Sequence, residues 1–178
     1  MKKIFMTVLL GTLLIATTAE AKTLVAYYSL TNNTQKAAEV VAKATGADLY
    51  RIEPVTPYPA EYRDQVAQAK KELADNTLPP IKPWPENIAQ YDVVFVGSPV
   101  WLGTMATPVR TFLASGVLKG KIVIPFVTHG GGGADNCFTD TAKLCEGCEV
   151  ETDGWSGYGS VTLGLEKWAK KSLEEATE

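Results

Sequence analysis

The chain has 178 residues, of which 46% are hydrophobic and 21% charged, and its formal net charge is -3. This composition is typical of one soluble globular domain. It excludes a disordered chain, a collagen, a coiled coil and a basic protein that binds nucleic acid.

The first 21 residues differ from the rest of the chain. Lys2 and Lys3 precede an apolar run over residues 4–15, and an Ala-x-Ala sequence ends at Ala21. These are the features of a secretory signal peptide. The apolar run is short against the roughly 20 residues of a membrane-spanning helix. We predict cleavage after Ala21, a single domain over residues 22–178, and a soluble protein that is periplasmic or otherwise exported, with no membrane span.

Strand and helix signals alternate through the rest of the sequence. The first half contains a strand over residues 24–28, a helix over 34–45 closed by Gly46, an edge strand over 48–53, a helix over 61–74 and a stiff proline-rich segment over 79–85. The second half contains a buried strand over 93–96, a helix opened by Thr107-Pro108, a strand over 122–127, a helix over 136–144, a short strand around Val150 and a helix over 162–173.

Five strands alternating with helices predict an α/β fold, in which helices cover both faces of a parallel sheet. Pro125 lies inside the fourth strand, and because proline has no N–H for the ladder, we expect a bulge or a strand end near it. Ligands of such sheets bind beyond the carboxyl ends of the strands. The loops after strands one, three and four are therefore the predicted site.

The loop after strand one, residues 29–34, is polar and leads directly into a helix. Its hydroxyls and amides, together with the helix N-terminus, suit a phosphate group, although the same residue types are common helix caps. The loop matches neither a Walker A sequence nor G-x-G-x-x-G. It therefore favours a mononucleotide over ATP or NAD.

The loops after strands three and four carry the other signals. Trp101 lies between Pro99 and Gly103, as either a plug of the core or a platform for a flat ligand. Four consecutive glycines over residues 130–133 have no packing value, which indicates close approach of the backbone to a ligand.

Three cysteines, Cys137, Cys145 and Cys148, lie close together in the sequence. The first two are eight residues apart in a predicted helix, about 12 Å at 1.5 Å per residue, which exceeds the reach of a disulfide. Cys145–Cys148 is the preferred pair, and reduced thiols or a working redox pair are the alternatives. With His129 as the single histidine, no metal site is predicted.

The loops resemble those of the flavodoxin family. Residues 28–34 are similar to the Y-S-x-T-G-N-T start of one flavodoxin-like branch, with Asn32 in place of glycine, and asparagine tolerates a positive φ. Residues 57–62, 97–104 and 128–133 resemble the other family blocks, in the family's order. The resemblance implies a three-layer, doubly wound parallel sheet of five strands in the order 2-1-3-4-5, with FMN as the cofactor.

The resemblance also implies which residues bind FMN. By this resemblance, the residues that bind the phosphate are Ser29, Thr31, Asn32, Asn33 and Thr34. The residues implied to contact the ring system are Tyr58, Ser98, Pro99, Val100, Trp101, Leu102 and Gly103. Those implied to lie along its edge are Thr128, His129, Gly130 and Gly131. The Leu102-Gly103 peptide is the implied acceptor at N5. Electron-carrying flavodoxins usually place a second aromatic residue after strand four, where this chain has His129 and glycines. We expect the second ring face to be open, or covered by Tyr58, Trp84 or Trp155.

Three functions are compatible with these residues. The first is an exported FMN protein that transfers electrons to an unidentified redox partner. The second is an NAD(P)H-dependent reductase of quinones or nitro compounds, with an open flavin face and His129 as the catalytic proton donor. A lone histidine is more often structural. The third is a non-catalytic binding module, or a thiol-redox partner that uses Cys145 and Cys148.

Overall fold

Strands and helices alternate along residues 21–178, the part of the chain that the computed structural model describes. The strands are β1 (Thr23–Tyr27), β2 (Asp48–Arg51), β3 (Val93–Trp101), β4 (Thr104–Met105), β5 (Ile122–His129), β6 (Glu149–Val150) and β7 (Trp155–Tyr158). The helices are α1 (Asn33–Thr45), α2 (Tyr62–Ala74), α3 (Thr107–Ala114), α4 (Cys137–Leu144) and α5 (Leu165–Thr177). The predicted signal peptide lies outside the described residues, except for Ala21. No helix within residues 21–178 is long and apolar enough to cross a membrane.

The strands form one sheet in the order β2-β1-β3-β5-β6, and each neighbouring pair is parallel. β7 also pairs with β5 in parallel, further along β5 than β6 does. β6 and β7 together therefore take the place of a single fifth strand. The predicted α/β fold and its strand order are confirmed. β4 is antiparallel to the end of β3 and was not predicted.

Helices cover both faces of the sheet because its central strands are apolar on both sides. Along β3, Val94 and Val96 belong to one core, whereas Val93 and Phe95 belong to the other. α3 and α4 contribute buried side chains to the first core, and α1 and α5 contribute to the second. This arrangement makes three layers, with the carboxyl ends of the parallel strands at one edge of the sheet.

β5 runs unbroken through Pro125, so the expected bulge or strand end is wrong. The register with β3 is continuous, with Val96 opposite Pro125. On the other side of β5, β6 pairs with its start and β7 with its end, which leaves Pro125 between them. The carbonyl of Val123 bonds to Glu151 on that side, and alternate residues of a strand direct their polar groups the same way. The missing N–H of Pro125 therefore falls in a gap where no strand requires it.

β3 extends past Val96 to Trp101, so residues 97–101 of the predicted loop are strand. Gly97 and Pro99 are residues that weaken a strand prediction. In the structure, a Cβ at Gly97 would lie 2.4 Å from the ring of Phe126, so glycine is required there by packing. Pro99 pairs with Thr128 at the end of the ladder. This extension carries Trp101 to the carboxyl edge of the sheet.

Candidate functional site

A cleft of about 440 Å³ lies at the carboxyl edge of the sheet. Its volume is within the range of roughly 300–1,000 Å³ that ligand sites occupy. The predicted site residues that line it are Ser29, Thr31, Asn33, Thr34, Pro99, Val100, Trp101, Leu102, Thr128, His129 and Gly130. The fold thus brings three distant segments together where open parallel sheets bind ligands.

Five predicted residues do not line the cleft: Asn32, Tyr58, Ser98, Gly103 and Gly131. Tyr58 is buried behind Trp101, with the two ring centroids 4.9 Å apart. Ser98 is fully buried, and its hydroxyl accepts the amide of Ala106 and donates to the carbonyl of Pro99. Tyr58 and Ser98 therefore support the wall of the cleft from behind.

The polar end of the cleft is built around the N-terminus of α1. Asn32 precedes the helix in the left-handed conformation, with φ 64°, as expected for the residue in the glycine position. α1 has neither a side-chain cap nor an acidic residue in its first turn. Its first amides lack partners within the helix, and the helix dipole makes the potential there positive. This end of the cleft is therefore suited to a phosphate.

Two sets of contacts position the polar loop. The hydroxyl oxygens of Thr34 in α1 and Thr128 in β5 are 2.8 Å apart and hydrogen-bonded, and both residues are buried. Arg51, at the end of β2, donates to the carbonyl of Ser29 at 2.7 Å and to Oε1 of Gln35 at 2.8 Å. The sequence indicated Arg51 only as part of an edge strand. The structure shows that its guanidinium group braces the loop and the first turn of α1.

Trp101 forms the aromatic wall of the cleft. Its ring packs edge-on against Tyr28, at a centroid distance of 5.5 Å, and against Tyr58. Both tyrosines are buried, whereas Trp101 is half-buried and lines the cleft. Burial raises the pKa of Tyr28 to about 12, so its hydroxyl stays protonated. Trp101 therefore combines the two predicted roles, because it packs on the core and is accessible from the cleft.

A two-residue turn at Leu102 and Gly103 joins β3 to β4. Their φ angles are 52° and 83°, and a type I′ hairpin requires positive φ at both positions. Leu102 is 53% exposed and lines the cleft. The carbonyl of Gly103 accepts the amide of Asn136 at 3.1 Å, which fixes one side of the turn. Since leucine adopts a positive φ at an energetic cost, this turn is a strained element at the edge of the cleft.

His129 and Tyr158 lie together on another part of the rim. Nδ1 of His129 accepts the amide of Gly131 at 3.1 Å, so in the neutral ring the proton is on Nε2. The ring of Tyr158, at the end of β7, is 6.2 Å from the imidazole and 61% exposed. The aromatic residue beside His129 is therefore Tyr158. The three candidates for covering the second ring face pack against the two cores: Tyr58, Trp84 and Trp155.

Sequence reasoning missed seven residues that line the cleft: Leu30, Tyr62, Gln65, Val66, Ala69, Tyr158 and Gly159. Four of them belong to α2, which was predicted as a helix, but no local signal places that helix over the cleft. Tyr158 ends a four-residue strand whose serine and glycine are poor strand formers. The sequence signal for Tyr158 is an aromatic residue at the carboxyl end of a short fifth strand.

The cysteines lie away from the cleft. Cys145 and Cys148 form a disulfide, with their Cα atoms 5.5 Å apart. It follows α4, and the neighbouring Gly147 carbonyl accepts the amide of Gly120, just before β5 begins. The disulfide is therefore at the amino edge of the sheet, opposite the cleft. Cys137 is a buried free thiol, and burial raises its pKa to about 12, so it stays protonated.

Comparison with known proteins agrees with this geometry. The sequence profile of the Flavodoxin family matches residues 22–171. A curated relative, an NAD(P)H dehydrogenase (quinone) of Chromohalobacter salexigens, is 29% identical over 80% of this chain and 83% of its own length.

Two solved structures have the same fold. A protein of Bacteroides eggerthii is 34% identical, covers 89% of this chain and 99% of its own, and superposes with a TM-score of 0.75. A flavoprotein of Lactobacillus acidophilus, solved in complex with FMN, is 25% identical, covers 85% of this chain and 100% of its own, and has a TM-score of 0.71. With a family profile that spans most of its length and these structural relatives, the chain belongs to the flavodoxin family.

Proposed function

We propose that this protein binds FMN in the cleft and transfers electrons, as an exported protein. The observation that carries the proposal is the form of the cleft, which joins the uncapped N-terminus of α1 to the half-buried indole of Trp101. A flat aromatic ring joined to a phosphate needs those two features in one cavity. The FMN complex of the Lactobacillus acidophilus relative supports the same cofactor.

Each part of the cleft has a task in this proposal. The amides at the start of α1 and the hydroxyls of Thr31 and Thr34 bind the phosphate. Trp101 gives an aromatic surface for the ring, and the strained turn at Leu102 and Gly103 offers a backbone carbonyl to its polar edge. Bound FMN supplies transfer of one or two electrons, which no side chain of the cleft can perform.

The absorbance spectrum of the purified protein tests the cofactor directly. The full chain and the segment from Lys22 to Glu178 are each purified, reconstituted with FMN and titrated with dithionite. A yellow protein that takes up FMN at a ratio of one to one supports the proposal. The proposal is contradicted if the protein is colourless and binds no FMN at any concentration added. Cell fractionation and N-terminal sequencing of the full-length product test export and cleavage after Ala21.

A second candidate function is reduction of a small quinone or nitro compound by NAD(P)H. The name of the Chromohalobacter salexigens relative favours it, and so does the rim, where His129 and the exposed Tyr158 lie beside the cleft. Because the Gly131 amide occupies Nδ1 of His129, the Nε2–H group is free to donate a hydrogen bond to a bound substrate. Steady-state assays with NADH or NADPH and a benzoquinone separate the two functions. Turnover that falls at least tenfold in His129→Ala favours the reductase, and absence of turnover favours the electron carrier.

The disulfide gives little support to the third function, a thiol-redox module. Cys145 and Cys148 lie at the opposite edge of the sheet from the cleft. Cys145 is 2% exposed and Cys148 is half-buried, so an attacking thiolate has little access to one of the two sulfurs. A structural role at the start of the fifth strand fits the position of this disulfide better.

A further inference from the structure

Glu72 is a buried carboxylate next to the cleft that the proposed function does not use. It lies on α2, on the same face as Gln65 and Ala69, which line the cleft. Glu72 is only 9% exposed. No lysine or arginine within residues 21–178 forms an ion pair with it. Burial of a carboxylate without a cation is costly unless hydrogen bonds satisfy its oxygens.

Three side chains donate to this carboxylate, two from outside α2 and one from the preceding turn of α2 itself. The hydroxyl of Tyr58, from the segment before α2, donates to Oε2 at 2.5 Å. The hydroxyl of Thr107, at the start of α3, donates to the same oxygen at 2.6 Å. The amide of Gln68 donates to Oε1 at 2.9 Å. Glu72 thus joins α2, α3 and the segment that carries Tyr58 at one point.

Tyr58 transmits this arrangement to the wall of the cleft. Its ring lies 4.9 Å from the ring of Trp101, at an interplanar angle of 68°. Burial and the hydrogen bond to Glu72 raise the pKa of Tyr58, which keeps its hydroxyl a donor. The phenol ring therefore has little freedom to rotate away from the carboxylate, and its edge-on contact limits the orientations of the indole.

We propose that Glu72 is a positioning residue, which acts through Tyr58 to orient the indole of Trp101 as the wall of the cleft. The ligand-binding part of this inference rests on the proposed function, whereas the orientation of Trp101 does not. The Tyr58 hydroxyl contacts both the Glu72 carboxylate and the hydroxyl of Thr107, 2.7 Å away. A hydrogen bond to a charged group is the stronger of the two, so we assign the positioning of the tyrosine to the acceptor oxygen of Glu72. Glutamine keeps an oxygen at that place and removes the charge, and alanine removes both.

The first experiment uses the full-length protein without cofactor and compares Glu72→Ala, Glu72→Gln and Tyr58→Phe. The readout is the near-ultraviolet circular dichroism of Trp101, obtained by subtracting the spectrum of the Trp101→Phe version of each protein. We expect the Trp101 signal to fall at least twofold in Glu72→Ala and in Tyr58→Phe, and to be retained in Glu72→Gln. An unchanged signal in Glu72→Ala or in Tyr58→Phe overturns the proposal, and so does an equal loss in Glu72→Gln.

Tyr91→Phe is the matched control. Tyr91 is also a buried tyrosine, 4% exposed, and its hydroxyl donates to the carboxylate of Asp48 at 2.7 Å. It lies just before β3, at the amino edge of the sheet. Tyr91→Phe therefore removes a hydrogen bond between a buried tyrosine and a carboxylate without touching the wall of the cleft. If the Trp101 signal falls as much in this variant as in Tyr58→Phe, the effect is a nonspecific loss of tertiary packing, and the proposal is wrong.

The second experiment measures FMN binding to the same variants by quenching of flavin fluorescence. Glu72→Ala and Tyr58→Phe both remove the hydrogen bond between Tyr58 and the carboxylate, and we expect each to raise the dissociation constant for FMN about tenfold. Glu72→Gln is expected to bind within about threefold of the wild type. If the wild type binds no FMN, the proposed function fails, and the circular dichroism of the apoprotein still decides the role of Glu72.

Discussion

The guanidinium group of Arg51 donates to the carbonyl of Ser29 at 2.7 Å, across 22 residues of sequence. The contact joins the end of the edge strand β2 to the polar loop after β1. Because the second hydrogen bond of Arg51 goes to Gln35 in α1, one side chain fixes the loop at both of its ends. The loop that is proposed to bind phosphate is therefore braced from outside the cleft.

Replacement of Arg51 tests this bracing. We expect Arg51→Met to weaken FMN binding about tenfold, because the loop loses both hydrogen bonds. Arg51→Lys cannot reproduce the forked geometry and is expected to give most of this loss. Fluorescence titration with FMN measures the dissociation constants.

Lys82→Met is the control for charge. Lys82 forms an ion pair with Glu53 and makes no hydrogen bond to the loop. It carries the same charge as Arg51 and lines the same neighbouring cavity. If Lys82→Met weakens FMN binding as much as Arg51→Met, the effect is long-range electrostatics, and the bracing interpretation is wrong.

Replacement of Trp101 tests the aromatic wall. Stacking of a base on an aromatic side chain contributes about 1–3 kcal/mol, and we expect Trp101→Ala to weaken FMN binding by a similar amount. Trp84 is also half-buried but does not line the cleft, so Trp84→Ala is expected to lower stability with little effect on FMN affinity. Equal affinity of the Trp101→Ala and wild-type proteins would remove Trp101 from the proposed site.

The sequence predicted those features whose signals are local. Asn32 in place of glycine predicted the left-handed residue before α1, and Gly46 predicted the end of that helix, which the structure confirms. The apolar runs predicted three central strands that are buried on both faces. In each case the residues that carry the signal are the residues that form the structure, so no knowledge of distant contacts was needed.

The features that were missed depend on contacts between distant segments. Pro125 is harmless because β6 and β7 leave a gap beside it, and the sequence of β5 does not contain that information. Gly97 weakens the local strand signal, but glycine is required there because any side chain would clash with the ring of Phe126. Tyr58 was expected in the cleft, but its hydroxyl forms hydrogen bonds with Glu72 and Thr107, and its ring is buried in the core. Tertiary packing decided all three positions.

Asn32 gives a prediction about stability. A residue with a side chain other than asparagine or aspartate adopts positive φ at a cost of roughly 1–2 kcal/mol. We therefore expect Asn32→Ala to lower the free energy of unfolding by about 1 kcal/mol, and Asn32→Gly to leave it nearly unchanged. Urea denaturation measures both values.

Asn76 provides the matched control for this prediction. It has a φ of 51° and lies just after α2, away from the polar loop. Asn76→Ala is expected to cost a similar free energy of unfolding without a change in FMN affinity. Asn32→Ala is expected to weaken FMN binding as well, because the loop conformation sets the direction of the first amides of α1. Loss of stability without loss of affinity in Asn32→Ala would contradict this role of the loop.

The buried thiol of Cys137 leads us to expect a specific dependence of the free energy of unfolding on pH. Burial first, and then the charges of Asp140 and Asp135, raise the pKa of its thiol from 9.0 to about 12. Because the pKa is higher in the folded state, folding favours the protonated thiol. This contribution to stability is complete below pH 9 and is lost progressively as the pH rises from about 9 towards 12. The loss is at most about 1.4 kcal/mol for each pH unit, the value for one proton.

The comparison of wild type with Cys137→Ala isolates this thiol. Tyr28, whose pKa is also raised to about 12, titrates in both proteins, so its contribution cancels in the difference. Urea denaturation between pH 8 and pH 10.5, without reductant, gives the free energy of unfolding of each protein. Cys137→Ala is less stable at pH 8 because it leaves a small cavity. We expect the difference between the two proteins to be constant up to pH 9 and to shrink above it, since only the wild-type unfolded state releases the thiol proton. Parallel curves across the whole range would show that the thiol titrates alike in the folded and unfolded states.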